Sequence, residues 1–411
     1  MHFLQNEDEP NILGVMKENG YEVIWCGRND VIPGDRDKSA YCDLYFDGIT
    51  DEMRKARLAH MKAAKEQGSV RKQGDYSFYV GETGGGMAAM DEATVQKAVE
   101  YLQNKRKRDD SRPFFLYVTL MLPHPPYAIH KPFYGSTDRN ALPKRRPDLS
   151  KTSGKPSMLR SIHEKQGISE WPEERFNELR GTYLDMVSCF DDLFGKLMSE
   201  LNDGFRENTD IFVFSDHGDY TGDYGIAEKV QNCFDDPVTN VPLIIAPAKN
   251  RECTPRISEA LVELNDLCAT VYDLCEIEED YTHFGKSMVP LMKEEKMHRS
   301  EVHCEGGRIH GETQCMELGH GPESEYWPRL STQASEGPEH TKALMIRDHD
   351  YKYVKRLNED DEFYDLKKDP MELHNLIHDP QYCNMISAYE HKALDFLMET
   401  ADFVPNRRDR R

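Results

Sequence analysis

Four short apolar runs set what this chain can fold into: "YEVIWC" at 21–26, "FFLYVTLML" at 114–122, "DIFVFSD" at 210–216 and "VPLIIAP" at 241–247. Runs this short and this apolar read as strands buried in a sheet, because a strand with one wet face alternates polar and apolar residues. Helical patterns lie between them. Ile12, Leu13, Val15 and Met16 form an apolar stripe after Pro10, which suits a first helical position, and Gly20 suits the helix end. Residues 92–110 continue the pattern. In 173–203, Leu179, Tyr183, Met186, Phe190, Leu193 and Leu197 recur at steps of three and four. Residues 260–277 read as a strand and a helix. Strands alternating with helices predict an α/β fold, a three-layer sandwich whose mainly parallel or mixed central sheet is flanked by helices, over residues 1–310. In 342–366, β-rich runs are separated by "RDHD" and "NEDD" turns, the pattern of hairpins. The prediction for 311–411 is therefore a small C-terminal α+β domain with an antiparallel sheet. Residues 31–90 read mostly as loop, and 128–172, rich in Pro, Lys, Arg and Ser, as a long surface excursion.

In such sheets ligands gather at the C-terminal ends of strands. Two loops stand there. One is "SDHGDYTGDYG" at 215–225. Asp216 and His217, adjacent after a strand, are a candidate cation pair, or else a turn with a capping aspartate. Gly218, Gly222 and Gly225 would let the backbone bend around a ligand, and Asp219 and Asp223 read as supporting acceptors or turn formers. The other loop is "LPHPPY" at 122–127, where His124 is held between prolines. It suits a general acid, or it is a solvated loop histidine. Lys229 in "GIAEKV" could bind an anion's oxygen, and Arg28 in "GRND" could grip an oxyanion; each also reads as an ordinary surface cation. The runs "KRKR" (105–108), "KRR" (144–146) and "RRDRR" (407–411) read as solvated charge.

The net charge of −22 argues against nucleic acid or an anionic membrane surface as partner. An anionic substrate would need local positive charge. The ten cysteines are scattered, without C-x-x-C pairs, and several sit in apolar segments, as reduced buried thiols do. No stretch has the length of a membrane span, about 20 apolar residues, and "MHFLQNEDEPN" lacks the pattern of a secretory leader. A cytoplasmic location is the default expectation.

Taken in order, these pieces resemble the sulfatase family of the alkaline-phosphatase superfamily. "PNILGVMKENGYEVIWCGRND", "PFFLYVTLMLPHPPY", "FVFSDHGDYTGDYGIAEK", "VPLIIAP" and "YKYVKRLNEDDEFYDLKKDPMELHNL" each look like a family segment, and together they cover almost the whole chain. The resemblance implies hydrolysis of a sulfate ester, with phosphate or phosphonate esters as the alternative. Asp216 and His217 would be metal ligands. His124 would protonate the leaving oxygen, Lys229 would hold a sulfate oxygen, and Arg28 stands where the family usually has a lysine. Asp30 stands where a histidine is frequent. A histidine at 217 resembles the choline-sulfatase and phosphonate-hydrolase branches. The implied cofactor is a divalent metal, calcium first, with manganese, magnesium or zinc admitted by the imidazole. The implied partner is a small-molecule sulfate ester.

The resemblance also implies a nucleophile and a first metal motif upstream of the helix at 10–19. The family's formylglycine, made within C/S-x-P-S-R, is not present in this sequence. "CTPRI" at 253–257 has its proline but lacks the final arginine, so Cys253 reads as structural or exposed. Three expectations compete: a fragment of a longer sulfatase, a natural truncation that has lost catalysis, or a protein completed by a partner chain.

Overall fold

The protein is described by a computed structural model covering residues 9–55, 78–108, 110–202, 204–316, 321–322 and 324–401. The first helix, α1 (Ile12–Glu18), is capped by Asn11, whose side chain accepts from the Gly14 N–H. Asn11 rather than Pro10 therefore marks the start, because a side-chain acceptor satisfies an orphan N–H and proline has none to offer. The chain turns at Gly20, φ +88°, into β1 (Glu22–Gly27). The main sheet places β1 between β2 (Leu44–Phe46) and β4 (Phe114–Thr119), both parallel to it. The parallel pair β3 (Tyr79–Glu82) and β5 (Tyr127–Ile129) and the antiparallel pair β6 (Ile211–Phe214) and β7 (Leu243–Ala246) flank it in sequence.

Side-chain alternation explains the layering. From β1, Ile24 and Cys26 enter one apolar cluster and Val23 and Trp25 another. From β4, Leu116 and Val118 join the first cluster, while Phe115 and Tyr117 join the second. The first cluster is closed by α2 (Met87–Lys107) and α4 (Glu173–Asn202), through Val95, Leu102, Leu179, Met186 and Leu193. The second is closed by α1 and α5 (Asp266–Leu274). A sheet buried on both faces needs apolar residues at successive positions, which is why the four runs look continuous. Burying each of these large side chains contributes about 1.5–3 kcal/mol. β6 sends Ile211 and Val213 into the first cluster and Phe212 into the second. Yet among the described residues β4 pairs only with β1 and β6 only with β7.

The C-terminal part is an antiparallel sheet in the order β11–β10–β9–β8, built from β8 (Val302–Gly306), β9 (Ala343–Arg347), β10 (Tyr351–Arg356) and β11 (Glu362–Asp365). The "RDHD" and "NEDD" segments form its turns, and helix α7 (Cys383–Thr400) packs on it through Ile386, Tyr389 and Ala393.

Several expectations are corrected. Residues 128–172 are not simply a surface excursion: α3 (Ser157–Gln166) buries Met158, Leu159 and Ile162. The strand expected at the start of 260–277 is a single bridge, Leu261 to Arg299, before α5. The basic runs are not simply solvated. Lys105 is buried between Glu22 at 2.9 Å and Asp110 at 2.6 Å. Arg146 reaches Glu372 at 3.1 Å and the Tyr224 hydroxyl at 2.9 Å. Pairing with carboxylates offsets the cost of taking these cations out of water. The run at 407–411 lies outside the described residues. All ten cysteines are free thiols; Cys253 and Cys383 are exposed and the rest wholly or partly buried. Among the described residues no helix is long and apolar enough to cross a membrane.

Candidate active site

β1 ends in Gly27 because nothing larger fits. Its φ is +109°, and a Cβ there would lie 2.0 Å from the Thr119 carbonyl oxygen of β4. The close approach brings the two parallel strands to a common end, where the Thr119 hydroxyl donates to the Arg28 carbonyl at 2.9 Å. Arg28 leaves this rim with its side chain 55% exposed, its Nε donating to both Asp30 oxygens at 3.0 and 3.2 Å. Asp30 thus orients the arginine rather than standing as a separate group.

From the end of β4 the chain runs into the loop bearing His124. Its turn is fixed by Asp91 of α2, a buried carboxylate that accepts from the Met121 N–H at 2.8 and 2.9 Å and the Leu122 N–H at 2.8 Å. Burial pushes the Asp91 carboxyl up to about 6, against the lowering effect of those N–H bonds. The His124 Nδ1–H donates to the Pro125 carbonyl at 2.6 Å, which leaves Nε2 bare to accept from the Lys229 ammonium at 2.7 Å. Burial first, and then the positive charge of Lys229, brings His124 down to about 3. At neutral pH the imidazole is therefore uncharged, and Lys229 is the donor in this pair. Burial also lowers the lysine's own proton affinity.

Beyond β6, the Asp216 side chain is 82% exposed and its Oδ1 accepts from the His217 N–H. The His217 Nδ1–H donates to the Gly218 carbonyl at 2.8 Å, so the bare Nε2 stands 3.5 Å from Asp216 Oδ2. A backbone partner on one imidazole nitrogen that frees the other for a cation is the usual support of a metal-binding histidine. The rings of His217 and His124 are 6.4 Å apart. Gly218 is required here by contact: a Cβ would meet the Pro237 carbonyl at 2.0 Å. Gly222 and Gly225 are required by φ values of +98° and +75°. Asp219 and Asp223 are internal acceptors, taking the Tyr127 hydroxyl and the Arg146 N–H respectively, both at 2.8 Å.

His124, Lys229, Asp216 and His217 are thus gathered on one rim, with Arg28 near enough for its charge to bear on His124. The chain's net charge is −22, yet this corner carries two cations. Among the described residues no group of three or more His, Cys, Asp or Glu side chains could hold a metal ion, so Asp216 and His217 make a two-donor edge. A groove between α2 and α4, lined by Glu92, Gln96, Leu193 and Lys196, contains none of these residues. Sequence reasoning missed Asp91, Tyr127 and Arg329. The Arg329 guanidinium, on α6 (Trp327–Gln333), lies 3.4 Å from Glu228 and its charge bears on Lys229. Only Tyr127 had a local signal, as the last residue of "LPHPPY".

The family model described as Sulfatase matches residues 3–277, more than half of the chain. The chain belongs to the sulfatase family. It is 27% identical over 323 residues to the multifunctional alkaline phosphatase superfamily protein PehA of Trinickia caryophylli, covering 75% of this chain and 59% of that protein. It is 24% identical over 329 residues to the choline-sulfatase of Rhizobium meliloti, covering 73% of this chain and 55% of that protein. This sulfatase-family chain therefore spans little more than half the length of those curated relatives. The phosphonate monoester hydrolase of Agrobacterium radiobacter shares the fold, with a TM-score of 0.71 at 18% identity over 98% of this chain and 86% of that one.

Proposed function

We propose that this sulfatase-family chain carries the leaving-group and anion-binding side of a sulfuric ester hydrolase site. The observation that carries the reading is the 2.7 Å contact between His124 Nε2 and Lys229 Nζ, beside Asp216 and His217. Two loops more than a hundred residues apart in sequence converge there, and each supplies a residue able to exchange a proton or meet an anion.

In a sulfate ester the charge spreads over the non-bridging oxygens as the alcohol departs, so a fixed cation beside them favours the transition state. Lys229 would turn its ammonium to one such oxygen. His124 Nε2, left bare by the Pro125 contact, has no proton of its own to give and would relay one from the Lys229 ammonium to the departing oxygen. Arg28, oriented by Asp30, would meet a second oxygen. Asp216 and His217 fit a divalent cation as a carboxylate and a bare imidazole nitrogen; calcium heads the candidates, with manganese, magnesium or zinc also suited to such a pair. Once bound, the cation would supply neutralisation of the developing charge. The attacking group is not part of this cluster. Cys253 sits exposed on a loop whose Thr254 N–H donates to the Met292 carbonyl.

His217 in place of an all-oxygen set favours phosphate or phosphonate esters as the second reading. The test is calorimetry of the full chain with Ca²⁺ or Mn²⁺ and with inorganic sulfate, followed by assays on aryl sulfate, choline sulfate and phenyl phosphonate. Binding of a cation that disappears in Asp216→Ala, and of sulfate that disappears in Lys229→Ala, supports the site. Wild-type protein that binds neither sinks it; binding without turnover is what the site predicts for a chain that does not itself hold the attacking group.

A further inference from the structure

Four non-glycine residues in the segment that leads from His217 past Lys229 have positive φ: Thr221 (47°), Tyr224 (56°), Glu228 (68°) and Asn232 (61°). Such a conformation is costly for a β-branched residue, and it persists only where surrounding contacts over-determine it. Here the contact is visible. Asp219 Oδ1 accepts from the Thr221 N–H at 2.7 Å and the Thr221 hydroxyl at 2.9 Å, which closes the turn on itself. The same oxygen takes a third donor, the hydroxyl of Tyr127, at 2.8 Å.

Tyr127 is fully buried and opens β5, in the same loop as His124. Its own N–H donates to the Phe78 carbonyl at 2.6 Å, so its main chain is referenced to the β3–β5 pair rather than to the loops. Its hydroxyl makes two contacts in opposite senses. It donates to Asp219, two residues beyond His217, and it accepts from the N–H of Glu228, the residue before Lys229, at 2.8 Å. One hydroxyl therefore joins the segments that carry His124, His217 and Lys229.

We propose that Tyr127 is a positioning residue that sets the His124–Lys229 contact by fastening the strained 219–228 turn to the His124 loop; this rests on the reading of that pair as the anion-binding side of the site. Neither side of the pair can hold the distance alone. Lys229 follows a residue in the left-handed region, and His124 takes its backbone support from its own side, through Asp91 and Pro125. Removing the hydroxyl leaves the Glu228 N–H and one Asp219 acceptor site without that partner, while the ring keeps its packing.

The test is the ¹⁵N signal of His124 Nε2 at neutral pH in the full chain, alongside the affinity for inorganic sulfate. In Tyr127→Phe the signal should move to where it lies in Lys229→Ala, in which the contact is removed outright. Sulfate affinity should fall about tenfold, the loss of one hydrogen bond's worth of positioning. Tyr183→Phe, in the ring packed 6.3 Å from Tyr127, is the control and should change neither. Asp219→Asn keeps an acceptor oxygen and should preserve the signal. If Tyr127→Phe does not fold, Asp219→Ala breaks the same fastening from the other side and should give the same shift. A His124 signal that stays at the wild-type position in a folded Tyr127→Phe or Asp219→Ala protein overturns the proposal. Wild-type protein that binds no sulfate, but whose His124 signal still follows Tyr127, leaves the positioning role standing and removes the sulfate reading of Lys229.

Discussion

Replacing Asp91 by alanine should destabilise this protein by an amount that depends on pH in a direction opposite to that for a salt-bridged carboxylate. The Asp91 carboxyl accepts from two backbone N–H groups at the entrance to the His124 loop and is 1% exposed. Truncation orphans both donors, and each unmade buried bond costs about 1–3 kcal/mol. Against this, burial holds the group at about 6 rather than 3.8, so ionised Asp91 carries a strain of about 3 kcal/mol that alanine relieves. The folded state binds the proton more tightly than the unfolded one. Wild-type stability from this group is therefore absent at about pH 7.5, appears as pH falls through 6, and is complete below 3.8. At about pH 4.5 the gain is about 2 kcal/mol, and the alanine variant cannot show it. Urea unfolding of both proteins at about pH 7.5 and 4.5 measures this directly, because titrating groups common to both cancel in the difference. The destabilisation should be about 2 kcal/mol larger at the lower pH than at the higher. An equal gap, or a larger one at the higher pH, would refute the assignment of a raised Asp91 and the dominance of burial over its N–H bonds.

Lys352→Met should lower stability by about 3 kcal/mol in denaturant titrations, because it strips the ammonium from buried Glu372 and half-buried Asp236, leaving Arg146 and Arg347, each at 3.1 Å, as their cation partners. Gly218→Ala should weaken cation binding at Asp216 and His217 in calorimetry, and cost about 1–3 kcal/mol, since its Cβ cannot coexist with the Pro237 carbonyl. His124 should remain neutral at about pH 5 by NMR, where an ordinary histidine at 6.5 is protonated. Its folded value lies below the unfolded one, so the stability it contributes at neutral pH is lost as pH falls through 6.5, and His124→Ala should lose less stability over that interval.

The layers of the fold were legible because their cause is local. Ile24 and Cys26 against Val23 and Trp25 record a strand with two dry faces, and Leu179, Met186 and Leu193 record a helix with one. The turns at "RDHD" and "NEDD" were legible for the same reason. Residues 128–172 were not, because α3 buries a short stripe inside a polar segment whose composition hides it. Lys105 and Arg146 misled because a charged residue reveals its carboxylate only after folding, and Glu372 lies 226 positions from Arg146.

The motif residues show the same division. The sequence by itself determined which groups can do the chemistry and that Asp216, His217, His124 and Lys229 stand in loops after strands, since those facts depend on neighbours a few positions away. Only the tertiary structure decided that His124 Nε2 meets Lys229 at 2.7 Å, that the lysine is the donor in that contact, and that Asp91 and Tyr127 hold the loops in place. Those outcomes turn on burial and on distances between segments far apart in the chain. Desolvation and hydrogen-bond geometry act through space and leave no periodic mark along the sequence.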